Sequence, residues 1–133
     1  MQPPLVAAFY VGLNALILVG LAALVVRTRG RVGVALGDGG APALTQAIRA
    51  HGNAAETIPL CAVLLVLVET LGAPGWVTHG LGLMLTAGRG VHAFHMIAAP
   101  GNLGLRAVGM ALTLTAILLS ALGLVGHALA RGL

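Results

Sequence analysis

Arg49, Asn53 and Glu56 lie in the run RAHGNAAETIPLCAVLLVLVE at spacings of four and three residues. At about 100° per residue they fall within about 60° of one another, so a cation, an amide and a carboxylate share one helix face. Arg49 and Glu56 are seven positions apart, about 10.5 Å along the axis, too far for a close ion pair within one helix. Each must find its partner elsewhere. A second group follows in Gly88-Arg89-Gly90-Val91-His92, where Arg89 and His92 are one turn apart and Met96 a further turn on. A cavity between the two segments would hold Arg49, Asn53, Glu56, Arg89 and His92. The residues themselves leave two readings open. In one, Glu56 pairs with Arg89 and the network merely fixes helix register. In the other, the cations receive the carboxylates of an elongated zwitterion, Glu56 its amine and Asn53 its amides.

The elements that carry these groups are apolar. The 133 residues are 59% hydrophobic and 8% charged, with a mean hydropathy of +1.03, against roughly 25% charged residues in a soluble domain. The composition is that of an integral membrane protein, and a charge in mid-bilayer costs at least about 2.5 to 3.5 kcal/mol unless it faces a bundle interior or a wet cavity. Leu5 to Val26 is uncharged and would measure about 33 Å as a helix, matching a hydrocarbon core of about 30 Å. The expected spans are 5–26, 45–71, 76–97 and 105–130, a single all-α domain built as a four-helix transmembrane bundle. Arg27 to Pro42, with three arginines and a Gly37-Asp38-Gly39-Gly40 turn signal, reads as the first loop, and Ala98-Ala99-Pro100-Gly101-Asn102 as the last turn. Pro59 interrupts the second span where its polar face gives way to the apolar run. Asn14 is suited to an interhelical hydrogen bond, and the glycines at 80, 82, 88 and 90 to close packing. The N-terminus MQPPLVAAFY has no basic n-region, so the first helix is expected to be retained.

Charge placement orients the bundle. Arg27, Arg29, Arg31, Arg49, Arg89 and Arg106 lie in or near one side, which the positive-inside rule makes cytoplasmic, with both termini outside; Arg131 is the exception. The pI of 11.3 arises from seven arginines against three acids, with no basic run interleaved with aromatics, and so does not indicate nucleic-acid binding. His92 and His95 lack an acidic or cysteine ligand at compatible spacing, so no metal is expected. The lone Cys61 cannot form an internal disulfide and reads as a packing residue. Glu69, His79 and His127 read as interfacial. So short a bundle has little interior for its polar groups, which oligomerisation would supply.

The run Arg49-Ala50-His51-Gly52-Asn53-Ala54-Ala55-Glu56-Thr57-Ile58-Pro59 fits R-x-x-x-N-x-x-E-x-x-P, the second-helix pattern of the membrane-associated proteins in eicosanoid and glutathione metabolism, the MAPEG family. Gly88 to Ala93 and the LGDGG turn support the resemblance, which covers nearly the whole chain and is nearest to the bacterial branch. It implies a homotrimer in the bacterial inner membrane, binding glutathione as co-substrate between subunits near the cytoplasmic face. Arg49, Asn53 and Glu56 would bind its carboxylate, amide and amino groups, with Arg89 and His92 contributing from the third helix. Arg106 would stabilise the glutathione thiolate, and one arginine after the first helix, Arg29 in preference to Arg27 or Arg31, would reach the site across the interface. The implied activity is a glutathione transferase or peroxidase acting on hydrophobic electrophiles or lipid peroxides that arrive from the bilayer; the alternative is a non-catalytic membrane protein of the same fold that binds a lipid or small ligand, or a structural trimer. Where eicosanoid-making relatives carry tyrosines, this chain has Thr57, His92 and Met96, which argues against leukotriene or prostaglandin synthesis.

Overall fold

A computed structural model describes residues 3–99 and 101–132. Met1, Gln2, Leu133 and Pro100, the last of these part of the turn expected before the fourth span, lie outside them. Four helices follow one another: α1 (Leu5–Val32), α2 (Pro42–Thr70), α3 (Gly75–Ala98) and α4 (Leu103–Ala130). α2 and α3 touch each other and both outer helices, whereas among the described residues α1 and α4 do not meet. The cross-section is therefore a rhombus with α2 and α3 on its short diagonal. Helices α1, α2 and α4 are each long and apolar enough to cross a membrane. α3 carries the polar residues instead, and at 24 residues it is about 36 Å long. Its Arg89, His92 and His95 are all buried, so the polarity that lowers its hydropathy is turned inward. Leu16, Val19, Val63, Leu83, Leu114 and Leu118 are exposed on the outside, the surface expected of a bundle solvated by lipid.

The first loop is shorter than the sequence implies. α1 continues through Arg27, Arg29 and Gly30 to Val32, so the three arginines extend the helix beyond its uncharged span. A single glycine costs a helix only about 1 kcal/mol, which is too little to stop a helix already nucleated and packed over many turns. What remains, residues 33–41, is held from both sides. Arg29 donates from Nη1 to the carbonyls of Val34, Ala35 and Gly37, the last at 2.7 Å. Asp38 accepts from the Gly40 amide at 3.0 Å and from the Thr45 hydroxyl at 2.8 Å, tying the loop to the first turns of α2. Gly39 has φ +57°, and a Cβ there would lie 2.6 Å from a Val34 methyl, so the turn requires glycine on both conformational and steric grounds.

At the opposite end Glu69, in the last turn of α2, accepts from the α1 amides of Val6 (3.1 Å) and Ala7 (2.6 Å). These are helix N-terminal amides with no intrahelical acceptor, and the carboxylate meets the positive end of the α1 dipole. The expected interfacial residue is thus a cap supplied by another helix. Nearby, the Tyr10 hydroxyl lies 3.2 Å from His79 Nδ1. Midway along the bundle, Asn14 donates to Thr86 Oγ1 at 2.8 Å, the interhelical bond foreseen for it.

α3 and α4 cross with their backbones in near contact. A Cβ on Gly88 would stand 2.7 Å from Thr113 Oγ1 and 2.9 Å from the Gly109 carbonyl, and one on Gly109 would stand 2.8 Å from the His92 amide. Gly80 and Gly90, grouped with Gly88 on sequence grounds, face open space. Gly109→Ala should therefore destabilise the bundle by about 1 to 3 kcal/mol through overpacking against backbone, whereas Gly90→Ala should not lower stability. Thermal unfolding in detergent checks this, and equal melting temperatures for the two variants would contradict the crossing.

The loop should also respond to acid. The Gly40 amide and the Thr45 hydroxyl hold the Asp38 carboxyl below its ordinary range. A depressed carboxylate contributes stability that is complete above its unfolded value, about 3.9, and is lost as pH falls through the folded value. Hydrogen-exchange protection of Gly40 should fall below about pH 4 in the native chain and be low at every pH in Asp38→Ala; protection independent of pH in the native chain would refute the latch.

Candidate functional site

Arg49, Gly52, Asn53 and Glu56 of α2, His92 and Met96 of α3 and Arg106 of α4 line one open cavity of about 550 Å³, with Ile48 beside them. The periodicity of α2 puts its polar groups on the cavity wall while Ala50, Ala54 and Ile58, on the other side, pack against Leu21 of α1. Arg49, Glu56 and Arg106 are exposed in the isolated chain and His92 is buried. The cavity thus presents two guanidiniums and one carboxylate.

Arg89 does not line it. The side chain is 2% exposed and sits behind the wall, where every nitrogen is engaged. Nε donates to Thr113 Oγ1 at 2.9 Å, Nη1 to Asn53 Oδ1 at 2.5 Å and to Thr57 Oγ1 at 3.1 Å, and Nη2 approaches Met110 Sδ at 3.6 Å. Glu56 is not among these partners, which removes the expected Glu56–Arg89 register pair. Both threonine hydroxyls are oriented by their own helices. Thr113 donates to the Gly109 carbonyl at 2.9 Å and Thr57 to the Asn53 carbonyl at 2.8 Å, so each turns lone pairs toward the guanidinium. Because a guanidinium only donates, the Asn53 atom facing it is the carbonyl oxygen. The amide Nδ2 is left for the cavity. Arg89 therefore acts on the cavity indirectly, by fixing which end of Asn53 a ligand meets.

Of the residues singled out in the sequence, Arg49, Asn53, Glu56, His92 and Arg106 are brought together on this wall and Arg89 stands directly behind it. Arg29 is elsewhere, with its guanidinium on the loop carbonyls of its own chain. Ile48 and Gly52 were not singled out, and neither were Gly109 and Met110. Gly109 carries no chemical signal, and only the structure shows that the α3–α4 approach depends on it. Thr113 bonds back to its own helix while also accepting from Arg89. Among the described residues no group of three or more histidine, cysteine, aspartate or glutamate side chains could hold a metal ion. Cys61 is buried in the apolar cluster with Leu65, Leu81 and Leu85. A second recess of about 240 Å³, at the Glu69 end, is lined mostly by apolar residues with Ser120 and His127, and holds no comparable set of ionic groups.

Comparison with known proteins decides what this arrangement belongs to. The MAPEG family model matches residues 7–126, which takes in α2 and α3 whole, all but the outer ends of α1 and α4, and every residue of the cavity wall. The chain belongs to the MAPEG family. Among curated relatives, the Inner membrane protein YecN of Escherichia coli K12 is 46% identical over 90 residues, covering 68% of this chain and 69% of that protein. The YecN of E. coli O6:H1 matches to the same extent. No solved structure matches significantly. This MAPEG chain is accordingly a helical membrane protein, and its relatives' name places them in the inner membrane without stating an activity.

Thr113→Val in this MAPEG protein should cost about 1 to 3 kcal/mol, since it leaves Nε of a buried guanidinium without an acceptor, while Thr113→Ser, which keeps the hydroxyl, should cost less than about 1 kcal/mol. Chemical or thermal unfolding in detergent measures both. A valine variant as stable as the serine variant would mean that Arg89 does not need Thr113.

Proposed function

We propose that the cavity binds glutathione as a co-substrate and that the protein is a glutathione-dependent transferase or peroxidase acting on hydrophobic electrophiles or lipid peroxides. The observation that carries this reading is the convergence of Arg49, Asn53, Glu56, His92 and Arg106 on one cavity. The tripeptide is an elongated zwitterion with two carboxylates, one ammonium, two amides and a thiol. One guanidinium and one carboxylate match a carboxylate and the ammonium, an asparagine presenting Nδ2 matches an amide carbonyl, and the second guanidinium is left for the sulfur. Glu56 would take the ammonium and Arg49 a carboxylate. Arg106, at the mouth of α4, would favour the thiolate over the thiol. A free thiol has a pKa near 8.5, and a guanidinium in a partly desolvated site shifts the equilibrium toward the nucleophilic form.

In transfer, the thiolate sulfur forms a bond to the electrophilic carbon and the leaving group departs with its electron pair, the thiol proton having passed to solvent. In peroxide reduction the thiolate sulfur takes the terminal peroxide oxygen as the O–O bond breaks and the alcohol leaves with a proton from solvent, and the thiolate of a second glutathione then displaces that oxygen as water to close the disulfide. Arg106 serves both by holding sulfur anionic. The family resemblance extends the reading to a homotrimer in the bacterial inner membrane, oriented with the arginine-rich end in the cytoplasm and both termini outside. Arg29 would then act on a neighbouring subunit only by leaving the loop carbonyls that it now holds. A second reading, a non-catalytic ligand-binding protein of the same fold, is favoured by one observation: Arg89, Thr57 and Asn53 satisfy one another within the chain, so Arg89 is committed to structure.

Detergent-solubilised protein assayed with glutathione and 1-chloro-2,4-dinitrobenzene distinguishes the two. Turnover together with glutathione-dependent thermal stabilisation supports the enzyme; stabilisation by about 2.7 kcal/mol is expected at a hundredfold excess over Kd. Stabilisation without turnover on this or a lipid hydroperoxide substrate supports the binding protein, and neither effect removes glutathione from the account. Arg106→Ala should lower kcat by about 10²-fold or more with little change in glutathione Kd, and Glu56→Gln should weaken glutathione binding about 10- to 100-fold through loss of a charge-assisted bond. Equal loss of binding and turnover in Arg106→Ala would reassign that residue from the thiolate to the tripeptide.

A further inference from the structure

The arginine-rich end carries a second concave surface, on the outside of the bundle, that the glutathione reading does not use. Between α1 and α3 runs a groove of about 310 Å³ bounded by Gly20, Leu21 and Leu24 of α1 and by Ala93 and Ile97 of α3, with Arg27 at its mouth. It shares Leu24 and Ile97 with an adjoining recess of about 260 Å³, which brings in Arg31 and Gln46. Arg27 and Arg31 are one helical turn apart on the same face of α1 and both are exposed, whereas Arg29 between them is turned to the loop carbonyls. None of the chain's three acids lines either recess. Asp38 is bound in its own turn, Glu56 lines the polar cavity and Glu69 caps α1 at the far end.

We propose that this groove binds one anionic phospholipid, with its phosphate held by Arg27 and Arg31 and an acyl chain laid against Gly20, Leu21 and Ala93. Charge complementarity selects the headgroup. Two adjacent guanidiniums without a carboxylate form a fork for phosphate oxygens, and their surplus charge favours a lipid of net charge −1 over a zwitterionic one. The depth of the groove selects the tail. From Arg27 to Ile17, which closes the deep end, is ten residues or about 15 Å, and half of a hydrocarbon core of about 30 Å is one leaflet. The headgroup would therefore sit at the interface with its chain reaching the bilayer midplane. Small residues make the surface concave: a Cβ added at Gly20 would meet nothing within 4 Å, so the space beside it is open to a chain.

Protein in detergent, titrated with dioleoyl phosphatidylglycerol or dioleoyl phosphatidylcholine and followed by thermal unfolding and by native mass spectrometry, tests the assignment. Phosphatidylglycerol should raise the melting temperature and remain bound at one per chain, and phosphatidylcholine should do neither at the same concentration. Arg27→Gln with Arg31→Gln should weaken phosphatidylglycerol binding at least tenfold, while Arg131→Gln, at the opposite end, should leave it unchanged. Gly20→Leu fills the groove without altering charge and should also weaken binding, which keeps the test valid if the double variant fails to fold. Equal binding of the two lipids, or unchanged phosphatidylglycerol binding in the double variant or in Gly20→Leu, would show lipid adhering without a site. A change of oligomeric state in Gly20→Leu with lipid binding intact would mark the groove as a subunit contact. Either result overturns the proposal.

Discussion

A guanidinium buried where no carboxylate meets it sets the terms for the middle of this bundle. Arg89 is permanently charged, and the only compensation within reach is a ring of neutral acceptors, each of which must point a lone pair inward. Two helices besides its own supply them. Thr57 and Asn53 come from α2, and Thr113 and Met110 from α4. These contacts exist only at the correct rotation and register of both neighbours, so sliding either helix by one residue would strand the charge. The apolar contacts of Cys61, Leu65, Leu81, Leu85 and Ala116 drive no such choice, because aliphatic side chains pack comparably in several registers. Dispersion holds the bundle together, and Arg89 selects one arrangement of it.

That selection depends on how closely α3 and α4 approach. With Gly88 and Gly109 at the crossing, backbone atoms come within contact distance, and Thr113 reaches Nε with a short side chain. Larger residues would separate the helices, and a hydroxyl would then have to be carried on a longer arm with more rotamers to freeze. The same approach brings Arg106, three residues before Gly109 and near the start of α4, onto the cavity wall opposite α2. Small residues at the crossing thus determine both whether the buried cation is satisfied and whether the cavity has its third side.

The sequence made the α2 wall legible because helical periodicity is strict. Arg49, Asn53 and Glu56 had to share a face whatever surrounded them, and charge in an apolar chain had to face inward. The α3 pair was legible for the same reason, although spacing alone placed Arg89 and His92 together in the cavity when one residue of depth separates them: His92 lines it and Arg89 lies behind. Nothing local encodes that difference, since it depends on Thr113 and Gly109, which are more than a dozen residues away. Glu69 illustrates the same limit. A lone acid at a helix end looks like an interfacial residue until the tertiary fold brings another helix's free amides to it. The end of α1 was misplaced for a different reason. Arginines and a glycine read as loop by composition, but long arginine side chains can extend toward water from a helix that continues past the hydrocarbon.

Seven arginines in one chain invite a single electrostatic explanation, and the structure gives them separate ones. Arg29 binds carbonyls of the loop that follows α1, a task that any orientation in the membrane would require. Arg89 is internal and bonded to neutral acceptors, so its task is to orient them. Arg49 and Arg106 open onto a cavity whose only carboxylate is Glu56, and the resulting positive surplus makes an anion a better occupant than a neutral molecule. Arg27 and Arg31 stand outside the bundle beside an apolar groove, where low-dielectric lipid on one side and headgroups on the other strengthen their attraction for a phosphate. Net charge therefore describes this protein poorly. What each arginine does follows from how deeply it is buried and from which polar atoms its backbone position lets it reach.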